Sequence, residues 1–277
     1  MIHKYPIEEI ILRHPGRGMD ILSRYLPDNF CEEAMKKLLE LPKGNVLLTT
    51  GFYVAGYAET DGPMGTYFLA KQLDRMGFHS TIVTDELCKD YFEDVNTEYV
   101  PFDAGEKIFA DLLEQYTPVC CISIERCGQN SKGDYANMRG ISIKENTAPI
   151  DKMFELAAKK GIYTMGVGDG GNEIGMGNLE KEISEKLSLV PCVTKVDNLI
   201  IATVSNWGAF GMMAYLDLLA GTKYFPPYEV FKRYLDKTVE LGSVDGLSKE
   251  NVGTVDGFSQ DIEKEIVDGL YAVVHCA

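Results

Sequence analysis

The chain has 277 residues, of which 45% are hydrophobic and 25% charged, and a formal net charge of −15. That length can bury a substantial core. The acidic balance argues against nucleic acid, which demands a basic footprint, and no apolar run reaches the roughly 18 residues of a membrane span.

The N-terminal MIHKYPIEEIILRHPGRG lacks the apolar core and cleavage site of a secretory signal. The seven cysteines are odd in number and form no CxxC pair, so disulfide scaffolding and structural zinc fit poorly. Reduced, mostly buried thiols in a cytoplasmic protein are expected.

Residues 1–43 read as a helical lead-in broken by Pro15-Gly16 and Pro27. Its patterning offers no chemistry; Arg13, His14 and Arg17 could reach an anion, but a solvated face is the expectation. NVLLTTGF (45–52) is the first strong strand, followed by a polar loop and a helix from Pro63 to about Met76, with Gly77 just beyond. FHSTIVTD (78–85) is the next strand, ELCKDYFEDV a short helix and TEYVPFD a weaker strand. Helix follows over 104–116. PVCCISIERCG (118–128) is the continuous apolar run of a buried parallel strand.

From Gly128 to Asn146 no period is visible, and an unstructured connection of this length in a compact fold points to function. Helix over 150–160 leads into YTMGVGDGGNEIGMG (163–177), where six glycines surround Asp169, Asn172 and Glu173. LEKEISEKLSLV is an amphipathic helix and NLIIATV (198–204) a buried strand. SNWGAFGMMAYLDLLAG is apolar nearly all round and therefore central. Two surface helices around a Gly/Ser/Asp-rich loop complete the chain.

Alternation of strand and helix gives an α/β fold, a mostly parallel sheet flanked by helices in a Rossmann-like three-layer arrangement, with helical N- and C-terminal additions. One domain is expected over 1–277, with an α/β core over 44–225 and C-terminal helices over 226–277.

Polar residues gather where strands end: Thr49, Thr50, Glu59, Thr60 and Asp61; Asp85; Glu125 and Arg126; Asp169, Asn172 and Glu173; Ser205 and Asn206. In a parallel sheet these ends share one edge, where open α/β sheets bind ligands. Ser205 and Asn206 serve equally as helix caps, and Asp61-Gly62-Pro63 as turn chemistry.

The string Gly166-x-Gly168-x-x-Gly171 matches a dinucleotide fingerprint, but it follows a late strand and lacks the acidic residue about 20 positions on, so NAD and FAD are not expected. All four histidines lie outside the motif loops, which leaves acid–base work to carboxylates. Glu59, Asp61, Glu125, Asp169 and Glu173 could share a proton. The same groups, Asp61, Asp169 and Glu173 foremost, could instead hold Mg²⁺ or Mn²⁺.

TTGFYVAGYAETDGPMGTYFLAKQL, SIERCGQNSKGDYANMRGISI, GVGDGGNEIGMG and SNWGAFG together resemble the D-glutamate cyclase-like C-terminal domain family. The resemblance implies a lyase that closes D-glutamate to 5-oxo-D-proline with loss of water. It also implies a stand-alone version without the hydro-lyase-like N-terminal domain of longer relatives, that domain being a candidate partner chain alongside a homo-oligomer.

On this reading Asp169, Glu173, Glu59, Asp61 and Glu125 are catalytic. Arg126 and Arg139 would clamp the carboxylates of a small acidic metabolite. Thr49, Thr50, Gly51, Tyr135, Asn137, Gly168, Gly170, Gly171, Asn172, Ser205 and Asn206 would complete the substrate site. Two rivals stay open: another enzyme acting on a phosphorylated or acidic metabolite, and a non-catalytic binding module that needs a partner.

Overall fold

The computed structural model describes residues 6–276. Residues 1–5 of the expected lead-in, and Ala277, lie outside that range. Three helices come first: α1 (Ile7–Ile11), α2 (Met19–Leu22) and α3 (Phe30–Glu40). The alternating core follows as β1 (Asn45–Thr49), β2 (Tyr53–Val54), β3 (Tyr57–Ala58), α4 (Pro63–Arg75), β4 (His79–Thr84), β5 (Asn96–Tyr99) and α5 (Glu106–Tyr116). It continues through β6 (Cys120–Ile124), α6 (Asp151–Lys159), β7 (Tyr163–Gly168), α7 (Glu180–Lys186), β8 (Asn198–Ile201) and α8 (Ser205–Ala220). Helices α9 (Tyr228–Glu240) and α10 (Gln260–Cys276) end the described chain.

Six strands form one all-parallel sheet in the order β5-β4-β1-β6-β7-β8. Its central strands are buried along nearly their whole length because helices cover both faces. On one face α4 and α8 pack together, backed by α1, α3, α9 and α10; on the other, α5 packs against α6. Helix α8 is buried from Ser205 through Asp217, which explains its unbroken apolar composition.

The chain leaves β1 toward β4 on one side and later returns beside β1 as β6. The carboxyl ends of β1 and β6 therefore flank a topological switch point, where open α/β sheets form a crevice.

Two expected elements differ. The polar loop after β1 contains a short hairpin, β2–β3, with Ala55 and Gly56 at positive φ in its turn. The helix expected over ELCKDYFEDV is only a 3₁₀ turn, Glu86–Cys88. The Asp85 side chain accepts from Leu87 N–H, an Asx turn that competes with helix, and Asp90 and Asp94 at φ 66° interrupt the rest of the segment.

Candidate active site

The strand-end carboxylates converge at the switch point. Glu59, Asp61, Glu125, Asp169 and Glu173 are each no more than 6% exposed. Above them opens a cavity of about 340 Å³, within the size range of small-ligand sites. Glu59, Glu125, Glu173, Asn172, Arg17 and Asp256 line its polar side. Phe52, Tyr53, Val54, Met138, Ile143 and Phe258 line its apolar side. Phe52 and Ile143 belong to a small apolar cluster with Cys127 and Tyr135, against which Tyr53 and Val54 pack, so the β2–β3 hairpin covers the site with its own packing.

Asp61 and Asp169 stand one side chain back from the cavity. The Asp61 carboxylate accepts from Gly62 N–H at 2.8 Å, Asn206 N–H at 2.7 Å and Ser205 N–H at 2.9 Å. Asp61 thus caps the first turn of α8 from outside. Asn206 returns the arrangement, with Oδ1 accepting from Gly62 and Gly65 N–H and so capping α4. Neither Ser205 nor Asn206 caps its own helix as expected; Asn206 caps α4 instead. Ser205 also reaches the carboxylates directly, with Oγ donating to Glu125 at 2.6 Å and N–H to Asp169 at 3.1 Å.

The glycines of the 163–177 stretch make room for Glu173. A methyl group at Gly168 would stand 2.8 Å from Glu173 Oε2, and one at Gly170 would stand 2.7 Å from Oε1. The Gly171 N–H donates to Oε2 at 2.8 Å, so this backbone holds a protein carboxylate rather than facing the cavity. Glu125 adopts φ 47°, a left-handed conformation costly for a non-glycine residue and often found where function imposes it.

Burial pushes all five carboxyls upward, because a charged carboxylate loses its hydration there. Asp61 is raised to about 7 by burial and by Asp256, against its hydrogen bonds. For Glu125 the charge of Glu173 adds to burial. For Asp169, burial dominates while Arg17 opposes it. For Glu173, the Gly171 N–H opposes burial.

Two further residues come from segments in which no chemistry was expected. Arg17 lies in PGRG between α1 and α2, and Asp256 in the loop before α10. The Arg17 guanidinium donates to Asp169 at 2.5 Å, to Asp256 at 2.6 Å and to the Thr203 carbonyl at 3.1 Å. This corrects the expectation of a solvated Arg17. Asp245 fixes the loop that carries Asp256 by accepting from the Leu247, Ser248 and Gly257 N–H groups and from the Thr254 hydroxyl. The only signal in the sequence was in the glycines that come directly after both residues, Arg17-Gly18 and Asp256-Gly257, each pair at positive φ.

Other expected ligand contacts are placed elsewhere. Arg126 is fully buried, and its guanidinium pairs with Asp85 at 2.6 Å and donates to the Gly51 and Ala148 carbonyls. It clamps loops, not a ligand, because a buried guanidinium must find its acceptors inside the protein. Thr49, Thr50 and Gly51 lie behind it, outside the cavity lining. The Tyr135 hydroxyl donates to Asp151 at 2.6 Å and anchors the 128–150 connection. Arg139 and Asn137 do line the cavity, and Arg139, like Lys249, is an exposed residue of its rim.

Oxygens of Glu125, Asp169 and Glu173 lie within 4.8 Å of one another, as do those of Asp61, Asp169 and Asp256. Asp169 Oδ1 is buried without a hydrogen-bond partner among the described residues, so the oxygen-rich set suits a hard divalent cation.

The fold and site define a doubly wound α/β protein with a buried carboxylate centre beneath a small-ligand cavity. The model of the family described as D-glutamate cyclase-like, C-terminal, matches residues 7–271, and the chain belongs to that family. Human mitochondrial D-glutamate cyclase is 31% identical over 252 residues, covering 80% of this chain and 40% of the human one. The chain thus spans less than half the length of that relative.

Solved structures are more distant. An exopolyphosphatase-related protein from Bacteroides fragilis is 9% identical, with a TM-score of 0.41, 91% of this chain covered and 61% of that one. UDP-glucose 4-epimerase from Brucella ovis in complex with NAD is 13% identical, with a TM-score of 0.31, 65% of this chain covered and 50% of that one. Among the described residues no helix is long and apolar enough to cross a membrane.

Proposed function

We propose that the chain is a lyase that closes D-glutamate to 5-oxo-D-proline with loss of water, using the buried carboxylates to move protons. The observation that carries this reading is the convergence of Glu59, Asp61, Glu125, Asp169 and Glu173, all raised above the ordinary carboxylate range, beneath one cavity. The reaction needs no net proton. The substrate ammonium gives up two protons as nitrogen bonds to the side-chain carboxyl carbon, and one carboxyl oxygen leaves with them as water. A catalyst must therefore accept protons near nitrogen and deliver them near oxygen, which carboxyls raised by burial can do.

Glu59, Glu125 and Glu173 face the cavity and are assigned the contacts with the ammonium. Ser205 Oγ, bonded to Glu125, orients that carboxylate. Arg139 and Lys249 at the rim are assigned the substrate carboxylates. The apolar hairpin side excludes water from the amide-forming step.

If the activity needs Mg²⁺ or Mn²⁺, Glu125, Asp169 and Glu173 would hold it. The ion would polarise the carboxyl oxygen that leaves. A phosphorylated substrate is less suited, because an acidic floor repels phosphate.

The test is to incubate purified protein with D-glutamate, L-glutamate or 5-oxo-D-proline, with and without Mg²⁺ or Mn²⁺, and to separate the products on a chiral column. The expected result is 5-oxo-D-proline from D-glutamate alone, and glutamate recovered from the reverse reaction. Ligand-induced thermal stabilisation without turnover would instead identify a binding module that needs the remainder of the longer relatives. No turnover and no binding would end the cyclase assignment.

A further inference from the structure

The two overlapping carboxylate triads differ in one respect. Arg17 sits in the triad of Asp61, Asp169 and Asp256, with its guanidinium bonded to Asp169 at 2.5 Å and to Asp256 at 2.6 Å. In the triad of Glu125, Asp169 and Glu173, neither glutamate makes an ion pair with a lysine or arginine among the described residues. Asp169 belongs to both. Its Oδ2 faces Arg17 and the Ser205 N–H, while Oδ1 is buried without a partner among the described residues. Asp61 already spends both oxygens on three N–H groups.

We infer that Arg17 is the site's built-in counter-cation. It fills the Asp61–Asp169–Asp256 triad and so directs any incoming cationic group, whether a substrate ammonium or a divalent ion, to the Glu125–Asp169–Glu173 triad.

Three features support this role over simple surface pairing. The side chain of Arg17 is 29% exposed, while those of its partners Asp169 and Asp256 are 1% and 7% exposed, so the guanidinium neutralises charge largely withdrawn from water. It also donates to the Thr203 carbonyl, which fixes its direction through the β8–α8 connection. Its backbone is held at φ 49° beside Gly18 at φ 80°, a turn that projects the side chain inward from between α1 and α2. A guanidinium with three anchors on separate segments cannot be replaced by a passing cation without moving that turn. The triad it occupies is therefore closed and the other open. This inference does not depend on the cyclase assignment, because it concerns where a cation enters and not the reaction it serves.

The probe is Mn²⁺ itself, counted per chain by electron paramagnetic resonance of the free ion. Wild type, Arg17→Met and Arg17→Lys are titrated, with circular dichroism recorded on each. Arg17→Met should bind one Mn²⁺ more per chain than wild type, or bind its first at least tenfold tighter, because the vacated carboxylates then act as ligands. Arg17→Lys should behave as wild type, and adding Asp256→Asn to Arg17→Met should abolish the gain. A purely structural Arg17 would yield weaker cation binding or none. If folded Arg17→Met matches wild type in stoichiometry and affinity, the inference is overturned. Should Arg17→Met fail to fold, Arg17→Gln, which keeps two donors for the same carbonyl, carries the same test.

Discussion

Glu263 on α10 offers the sharpest quantitative test of the buried electrostatics. Its Oε2 accepts from Trp207 Nε1 at 2.6 Å, its Oε1 is buried without a partner among the described residues, and the residue is 2% exposed. Burial raises its carboxyl from 4.5 to about 8, with the Trp207 hydrogen bond opposing the rise. The folded state therefore keeps a proton that the unfolded chain gives up. The resulting stability is complete below the unfolded value of 4.5 and is lost as pH rises toward about 8.

The gap is roughly 3.5 pH units at about 1.4 kcal/mol each, so full ionisation costs the fold on the order of 5 kcal/mol. Glu263→Gln imitates the neutral acid and retains a carbonyl for Trp207. Urea unfolding of both proteins from pH 5 to pH 9 should show the variant gaining on wild type by about 1.4 kcal/mol per pH unit, levelling off above about 8. A difference that stays constant across that range would refute the argument, since it would mean that Glu263 titrates alike in both states.

Two other outcomes probe the scaffold beneath the site. Arg126→Met strands Asp85 in the core and frees the Gly51 and Ala148 carbonyls, so chemical unfolding should show a loss of about 3–5 kcal/mol; Asp85→Leu added to it should recover part of that loss. Gly65→Ala places a methyl 2.7 Å from Ala209 Cβ and close to Asn206 where α4 meets α8, and thermal melting should report a cost of about 1–3 kcal/mol.

The strands were legible because each is a short apolar run bounded by polar residues, and β1, β4, β6 and β8 all lie within the runs read from sequence. Their shared direction then made the meeting of Glu59, Asp61, Glu125, Asp169 and Glu173 foreseeable. Strand order was not legible, since nothing in a buried strand's composition names its neighbour. Arg126 shows a related limit. Its position after β6 marked it as a charge that must be paired, but its partner Asp85, at the end of β4, lies across β1 and is visible only once β4, β1 and β6 lie side by side. Arg17 and Asp256 escaped because they sit in aperiodic turns far apart in the chain, and only the tertiary fold brings them to Asp169. The β2–β3 hairpin escaped because two-residue strands leave no alternation to read.

The central claim is that the carboxylates at this switch point carry the chemistry. Its most direct test is the turnover number with D-glutamate for wild type and Glu173→Gln, measured on protein whose melting temperature is recorded alongside. Glutamine keeps the shape and an acceptor for the Gly171 N–H but removes the proton-carrying charge at the cavity, so kcat should fall by about 10²-fold or more. A variant that turns over within about threefold of wild type would contradict the account, as acid–base groups at the reaction centre contribute far more than that.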